Sequence, residues 1–292
     1  MLYMNNKKIF EYFKIFMKGI FMGIADAIPG VSGGTIALLL GIYEELITTI
    51  SNIKISLFKI LTKDGLSVFW KKGNLGFLFP LLIGIIASLI VFVNIAQYFL
   101  DSFPLLVWSF FTGLIIATSY VIFKKIENFK LKEFILVIIA GISLILFTKI
   151  SNNDGLSSTD FSIIYIFVCA LLASSAMILP GISGSLVLVI LGVYEYMIES
   201  LINYNFYIIS TFVIGAIIGL LLLSKILNKL FLRHKNSTFS IMLGLVIGSV
   251  VNIWPWKKYS INQASTEILI LSFFLAFSAI LLIVLIEKVN KK

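Results

Sequence analysis

Residues able to form disulfides or bind metal are almost missing from this chain. Among 292 residues there is one cysteine, Cys169, one histidine, His234, and one arginine, Arg233. A single cysteine excludes an intramolecular disulfide and any multi-cysteine metal site. No metal or other cofactor and no catalytic residue is expected. His234 falls in a basic loop, where it should be solvated. Charge is scarce too: 13% of the residues are charged and 60% hydrophobic, with a mean hydropathy of +1.07. Such a chain has too little polar surface to fold as a soluble globule, which leaves an integral membrane protein. Behind Lys7, Lys8, Lys14 and Lys18 there is no A-x-A-type cleavage site, so the N-terminus reads as retained rather than as a removed signal peptide.

The chain is rich in long apolar runs. Charge-free windows at 73–100, 102–123, 161–194, 200–224, 236–256 and 268–286 approach or exceed the ~20 residues a helix needs to cross roughly 30 Å of hydrocarbon. The segment 134–148 is shorter and must borrow interfacial residues. Of the 23 basic residues, 20 gather before residue 20, at 51–75, at 124–132, at 225–235 and at the C-terminal end. The positive-inside rule sends all five clusters to the cytoplasm, and one path satisfies them. Segment 20–50 enters and returns on the cytoplasmic side, and spans 76–99, 103–123 and 133–149 then end outside. Segment 161–202 enters and returns on the outer side, and spans 206–224, 237–255 and 267–287 end inside. The expected fold is an all-α membrane protein with two re-entrant helical hairpins, about six full spans and both termini cytoplasmic. The net charge of +9 is then mostly a topology signal and gives no reason to expect nucleic acid as a partner. The linker 51–75 mixes lysines with Ile55, Leu57 and Phe58, as a helix lying on the anionic inner leaflet would.

One apolar stretch is broken, and the break is built twice. PGVSGGTIALLLGIYE at 29–44 returns as PGISGSLVLVILGVYE at 180–195, an offset of 151 at which eight of sixteen positions are identical. Gly84 then pairs with Gly215 and Gly113 with Gly244 at an offset of 131, and Glu133 and Glu267 open the last span of each half. With three full crossings each, the halves 1–150 and 151–292 must lie in opposite orientation. Inverted repeats with interrupted helices are the signature of secondary transporters, whose substrate site sits near the membrane midplane. Glycines that merely let helices pack closely do not need Pro-Gly followed by Ser-Gly.

Pro29-Gly30 and Pro180-Gly181 should stop the first arm near Ile28 and Leu179. A new helix then starts at Ser32, Gly33, Gly34 and Thr35 in the first copy, and at Ser183, Gly184 and Ser185 in the second. Its first N–H groups have no carbonyl partner, and in a bilayer such groups persist only where protein, water or a ligand satisfies them. The positive end of the helix dipole and the hydroxyl donors favour an anion, so these seven residues are the expected substrate-binding set. Simple helix capping is the structural alternative for Ser32 and Ser183. Asp26 is an intramembrane carboxyl three residues before Pro29, with neutral Met177 as its counterpart, while Glu44 and Glu195 are matched and each follows a tyrosine. Intramembrane carboxyls mark proton or ion pathways, and burial disfavours their charged form, so all three are proton-coupling candidates. Glu44 and Glu195 also fit ordinary interfacial positions.

The doubled "PGVSGGT...LGIYEE" and "PGISGS...LGVYEY" resemble the bacterial polyprenyl-phosphate transporter family, and the resemblance covers nearly the whole chain. It implies a multi-pass protein of the bacterial plasma membrane. Its substrate would be undecaprenyl phosphate, the lipid carrier of cell-wall synthesis, returned from the outer to the inner leaflet. Family resemblance does not say which residues bind the lipid. A phosphate monoester cannot cross hydrocarbon unaided, because burying an unpaired ion is prohibitive. The membrane undecaprenyl-diphosphate phosphatases also carry inverted repeats and a PG-x-S motif and supply an enzyme alternative. In that family an arginine follows the serine and clamps transition-state charge; here Gly33 and Gly184 stand in its place. A transporter rather than an enzyme is therefore expected, with a small-anion transporter or channel as a third reading and the oligomeric state left open.

Overall fold

The computed structural model describes residues 2–27, 31–150, 161–255 and 265–290. The first half contains α1 (Leu2–Asp26), α2 (Gly33–Leu39), α3 (Tyr43–Ser51), α4 (Ile55–Lys63), α5 (Leu66–Lys72), α6 (Leu75–Ser102), α7 (Pro104–Lys124) and α8 (Leu131–Ile150). The second contains α9 (Ile163–Ile178), α10 (Gly184–Ile190), α11 (Tyr194–Ile202), α12 (Phe206–Ile253) and α13 (Thr266–Asn290), and no strand occurs among the described residues. The protein is an all-α membrane protein: α6, α7, α8, α12 and α13 are long and apolar enough to cross a bilayer.

The breaks follow from local chemistry. Glycine permits the left-handed turn that bends α2 against α3 by 119°, at Gly41 (φ 71°). The same turn at Gly192 (φ 73°) bends α10 against α11 by 108°. Between α6 and α7 the chain turns at Phe103 (φ −135°, ψ 48°), with Pro104 at the first position of α7, where its missing N–H costs nothing.

At 48 residues α12 would extend about 72 Å if straight, but it turns at His234 (φ −139°, ψ 49°). His234 lies 131 residues after Phe103 and repeats its geometry. The basic stretch 225–235, expected as a loop, is therefore helical up to a corner at His234. Lys225, Lys229 and Arg233, spaced by four, share one face and favour helix. The linker 51–75 likewise holds two short helices, α4 and α5, of which α5 buries no residue.

Helices meet where a side chain is missing. Gly19 of α1 backs onto Gly84 of α6, and Gly215 of α12 onto Phe167 of α9. Gly113 of α7 lies against the Ala276 backbone of α13, and Gly244 of α12 against the Val137 backbone of α8. A Cβ at any of these would run into neighbouring backbone, so the approach depends on glycine. The final helix of each half thus packs on the other half, which interlocks the two. The main core gathers around α2 and α3, which α1, α7 and α12 enclose.

Candidate anion-binding site

The start of α2 sits against the end of α9 and the break that leads into α10, joined to them by hydrogen bonds between the halves. Ser32 Oγ donates to the Met177 carbonyl (3.0 Å), the Gly181 amide donates to Thr35 Oγ1 (3.0 Å), and the Tyr43 hydroxyl donates to the Ile178 carbonyl (3.0 Å). Gly34 is packed so closely under Ile178 that a Cβ there would meet its carbonyl. Ser32, Gly34 and Thr35 therefore pack on the residues that lead into Ser183, Gly184 and Ser185. Gly181 (φ 88°) makes the turn after Pro180, whereas Pro29 and Gly30 lie outside the described residues.

The two helix starts are not equivalent. At the first, the Gly33 amide donates to Asp26 Oδ1 (2.6 Å), and the Gly34 amide donates to Ser32 Oγ (3.2 Å). Ser32, Gly33, Gly34 and Thr35 are all buried. Groups of the protein itself thus hold the first two amides of α2. A carboxylate of the protein already stands where an external anion would bind, and the favourable field of a helix N-terminus explains why it does. At the second, Ser183 makes no side-chain cap bond, and its hydroxyl pairs with that of Ser185 (2.8 Å). No group among the described residues accepts from the Gly184 or Ser185 amide. Gly184 and Ser185 are only half-buried. Met177 occupies the place of Asp26, its Cβ close beside Gly184.

The C-terminal ends differ as well. Lys18 Nζ donates to the Leu40 carbonyl at the end of α2 (3.1 Å), so α1 holds α2 between a cation and an anion at the matching dipole ends. Cys169 stands 151 residues after Lys18, and at the end of α10 the Tyr165 hydroxyl donates to the Leu191 carbonyl instead (2.8 Å).

Of the carboxyl candidates, Asp26 alone reaches one of these helix starts. Glu44 is exposed at the start of α3 and pairs with Lys125 (3.2 Å), and Glu195 is exposed at the start of α11. Both glutamates are exposed first-turn residues, where they complement a helix N-terminus. Lys18, Tyr43 and Tyr165 were not anticipated. Lys18 had been counted with the topology-setting lysines, although its place eight residues before Asp26 puts both charges on α1.

Two cavities open nearby. One, of about 480 Å³, lies between α6, α7 and α13, is wholly apolar and reaches Ile24 of α1. The other, of about 310 Å³, lies between α8 and α12, is part polar and reaches Leu179, just before Pro180.

Residues 22–290 match the family described as undecaprenyl phosphate translocase-like. A polyprenyl-phosphate transporter of Vibrio cholerae serotype O1 is 34% identical over 264 residues, covering 89% of this chain and 84% of that protein. A polyprenyl-phosphate transporter of Staphylococcus aureus is 33% identical over 255 residues, covering 82% of this chain and 85% of that protein. No solved structure matches.

Proposed function

Because the chain belongs to the undecaprenyl phosphate translocase-like family, we propose that it is a transporter of polyprenyl phosphate. In this reading it moves undecaprenyl phosphate from the outer to the inner leaflet of the bacterial plasma membrane, returning the carrier lipid for reuse. The observation that carries the reading is the pair of equivalent helix starts, one filled by the carboxylate of Asp26 and one without a partner among the described residues.

A phosphate monoester presents the charge and acceptor oxygens of a carboxylate, so it can take on Gly184 and Ser185 the position Asp26 takes on Gly33. Ser183 and Ser185 add hydroxyls that turn from each other to the ligand. Protonation of Asp26 removes the charge that the Gly33 amide holds, opens Ser32, Gly33, Gly34 and Thr35 to the phosphate and couples transport to protons. Glu44 and Glu195 take no part in this step. The prenyl chain stays in lipid throughout.

The reading also treats 1–150 and 151–292 as inverted repeats, with hairpins 20–50 and 161–202 dipping from opposite faces and both termini cytoplasmic. Support comes from helix bounds that recur at a constant offset: α2 and α3 return 151 residues later as α10 and α11 with unchanged lengths.

The test is a leaflet-resolved assay of labelled undecaprenyl phosphate in proteoliposomes, with inorganic phosphate measured in parallel. Protein-dependent movement without phosphate release is expected. Release of inorganic phosphate would favour an enzyme, and absence of movement would overturn the reading.

A further inference from the structure

The two cavities are copies of each other. Seven lining positions of the apolar one recur 131 residues later in the part-polar one, from Ala96 and Leu227 to Phe111 and Met242. The corner residues Phe103 and His234, with nearly the same backbone angles, line both. Leu275 of α13 closes the first and Leu136 of α8 the second, one residue before the close contacts Ala276–Gly113 and Val137–Gly244. Each cavity is thus the groove beside one corner, covered by the last helix of the opposite half. Each also reaches the arm that precedes a helix break, at Ile24 and at Leu179.

Their chemistry differs at a few positions. Phe103, Leu106 and Val107 in the first become His234, Ser237 and Thr238 in the second, which adds Lys132. Pro104, which has no N–H, becomes Lys235. No carboxylate lines the second cavity. Thr238 Oγ1 donates to the His234 carbonyl (2.9 Å) and fixes the corner. The Lys132 ammonium, the Ser237 hydroxyl and the His234 ring remain as donors around one opening. It lies at the end of the molecule where the basic residues 225–235 gather, with Leu179 on its wall, four residues before Ser183.

Resting on the transport reading above, we propose that the cavity of Lys132, His234 and Ser237 is a second phosphate station. It binds the phosphate monoester headgroup after that group leaves Gly184 and Ser185, on its way out at the cytoplasmic side. The apolar copy has no donor for a headgroup and admits only the hydrocarbon chain. Donors gathered on one side of an otherwise matched pair favour the charged headgroup there and give transport a preferred exit.

The test uses Leu230→Cys, which lines the cavity without being a donor, in the full-length protein, where the only other cysteine, Cys169, is buried. The rate of maleimide labelling is read with farnesyl phosphate, farnesol or inorganic phosphate present. Farnesyl phosphate is expected to slow labelling about tenfold, with farnesol and equimolar inorganic phosphate having little effect. Protection should be lost when Lys132→Gln, or the combined His234→Phe, Ser237→Leu and Thr238→Val, is added. The latter three residues already occupy the equivalent positions of the apolar copy, and unchanged labelling without ligand would show the groove intact.

Equal protection by farnesol would mean a hydrocarbon slot, equal protection by inorganic phosphate a free-phosphate site, and protection kept in both variants no role for these donors. Each overturns the proposal. If the unmodified protein moves no polyprenyl phosphate in the leaflet assay, the transport reading fails; if it does and these labelling results go wrong, the second station alone fails.

Discussion

Helices α2 and α10 have the same length, the same serine before them and the same glycine-turned bend behind them, yet differ at both ends. α2 has Asp26 at its N-terminus and Lys18 at its C-terminus; α10 has Met177 and Cys169 at the equivalent positions. One helix is neutralised within the protein. The other keeps a positive N-terminal end with two amides that have no partner among the described residues. In the proposed reading, duplication supplied two anion sites and sequence divergence filled one of them. A transporter needs a site that an anion can enter and also leave. A permanently bare pair would bind too tightly or leave amides unsatisfied in a dry core. A resident carboxylate that competes for one tip offers release without that cost.

The comparison is broken most severely at Asp26. Asp26→Ala removes the only acceptor of the Gly33 amide among the described residues. Leaving a buried amide unpaired costs about 1–3 kcal/mol of stability, so lower thermal stability in detergent and loss of most transport activity are expected. Asp26→Asn keeps an acceptor but no titratable charge, and it should flatten the pH dependence of transport in proteoliposomes. A variant whose pH profile matches the unmodified protein would remove proton coupling at this residue.

Next comes the joint between the two copies. Gly34→Ala drives a Cβ into the Ile178 carbonyl, and overpacking of this kind costs about 1–3 kcal/mol. Lower thermal stability in detergent together with about tenfold slower transport is expected. Unchanged values would mean the tips are not in contact. Tyr43→Phe deletes the hydroxyl that reaches the same carbonyl and should cost about 0.5–1.5 kcal/mol of stability, with transport within a few-fold of the original. The smallest effect is expected from Glu44→Gln. Its exposed pair with Lys125 is worth about 0–1 kcal/mol, and transport should stay within about twofold. A large loss there would return Glu44 to the proton pathway.

Much of this arrangement was legible in the residues. Proline, glycine and serine locate the break because each acts on the backbone locally, and the starts of α2 and α10 at Gly33 and Gly184 follow from them. The asymmetry of Asp26 against Met177 was legible for the same reason: it is a difference at one aligned position. Closure of the first tip was not. It requires Asp26 to fold back over a break of six residues, and Ser32 and Thr35 to find partners 145 and 146 residues away. No local pattern encodes such contacts. Lys18 was misjudged because a lysine near the N-terminus serves the topology rule and a helix C-terminus equally well. The unbroken path to His234 was missed because charge density was read as a loop, although lysine and arginine are good helix formers. The cavity pair depends on how α8 and α13 cross between halves, which spacing along the chain does not reveal.

The central claim is that the amides of Gly184 and Ser185 receive the phosphate because no group among the described residues fills them. Met177→Asp tests it most directly, since it places beside Gly184 the carboxylate that Asp26 provides to Gly33. Measured by leaflet-resolved transport of undecaprenyl phosphate against Met177→Asn as a neutral control, Met177→Asp should lose at least about tenfold in rate while the control stays near the unmodified protein. Equal transport by the unmodified protein and both variants would contradict the account.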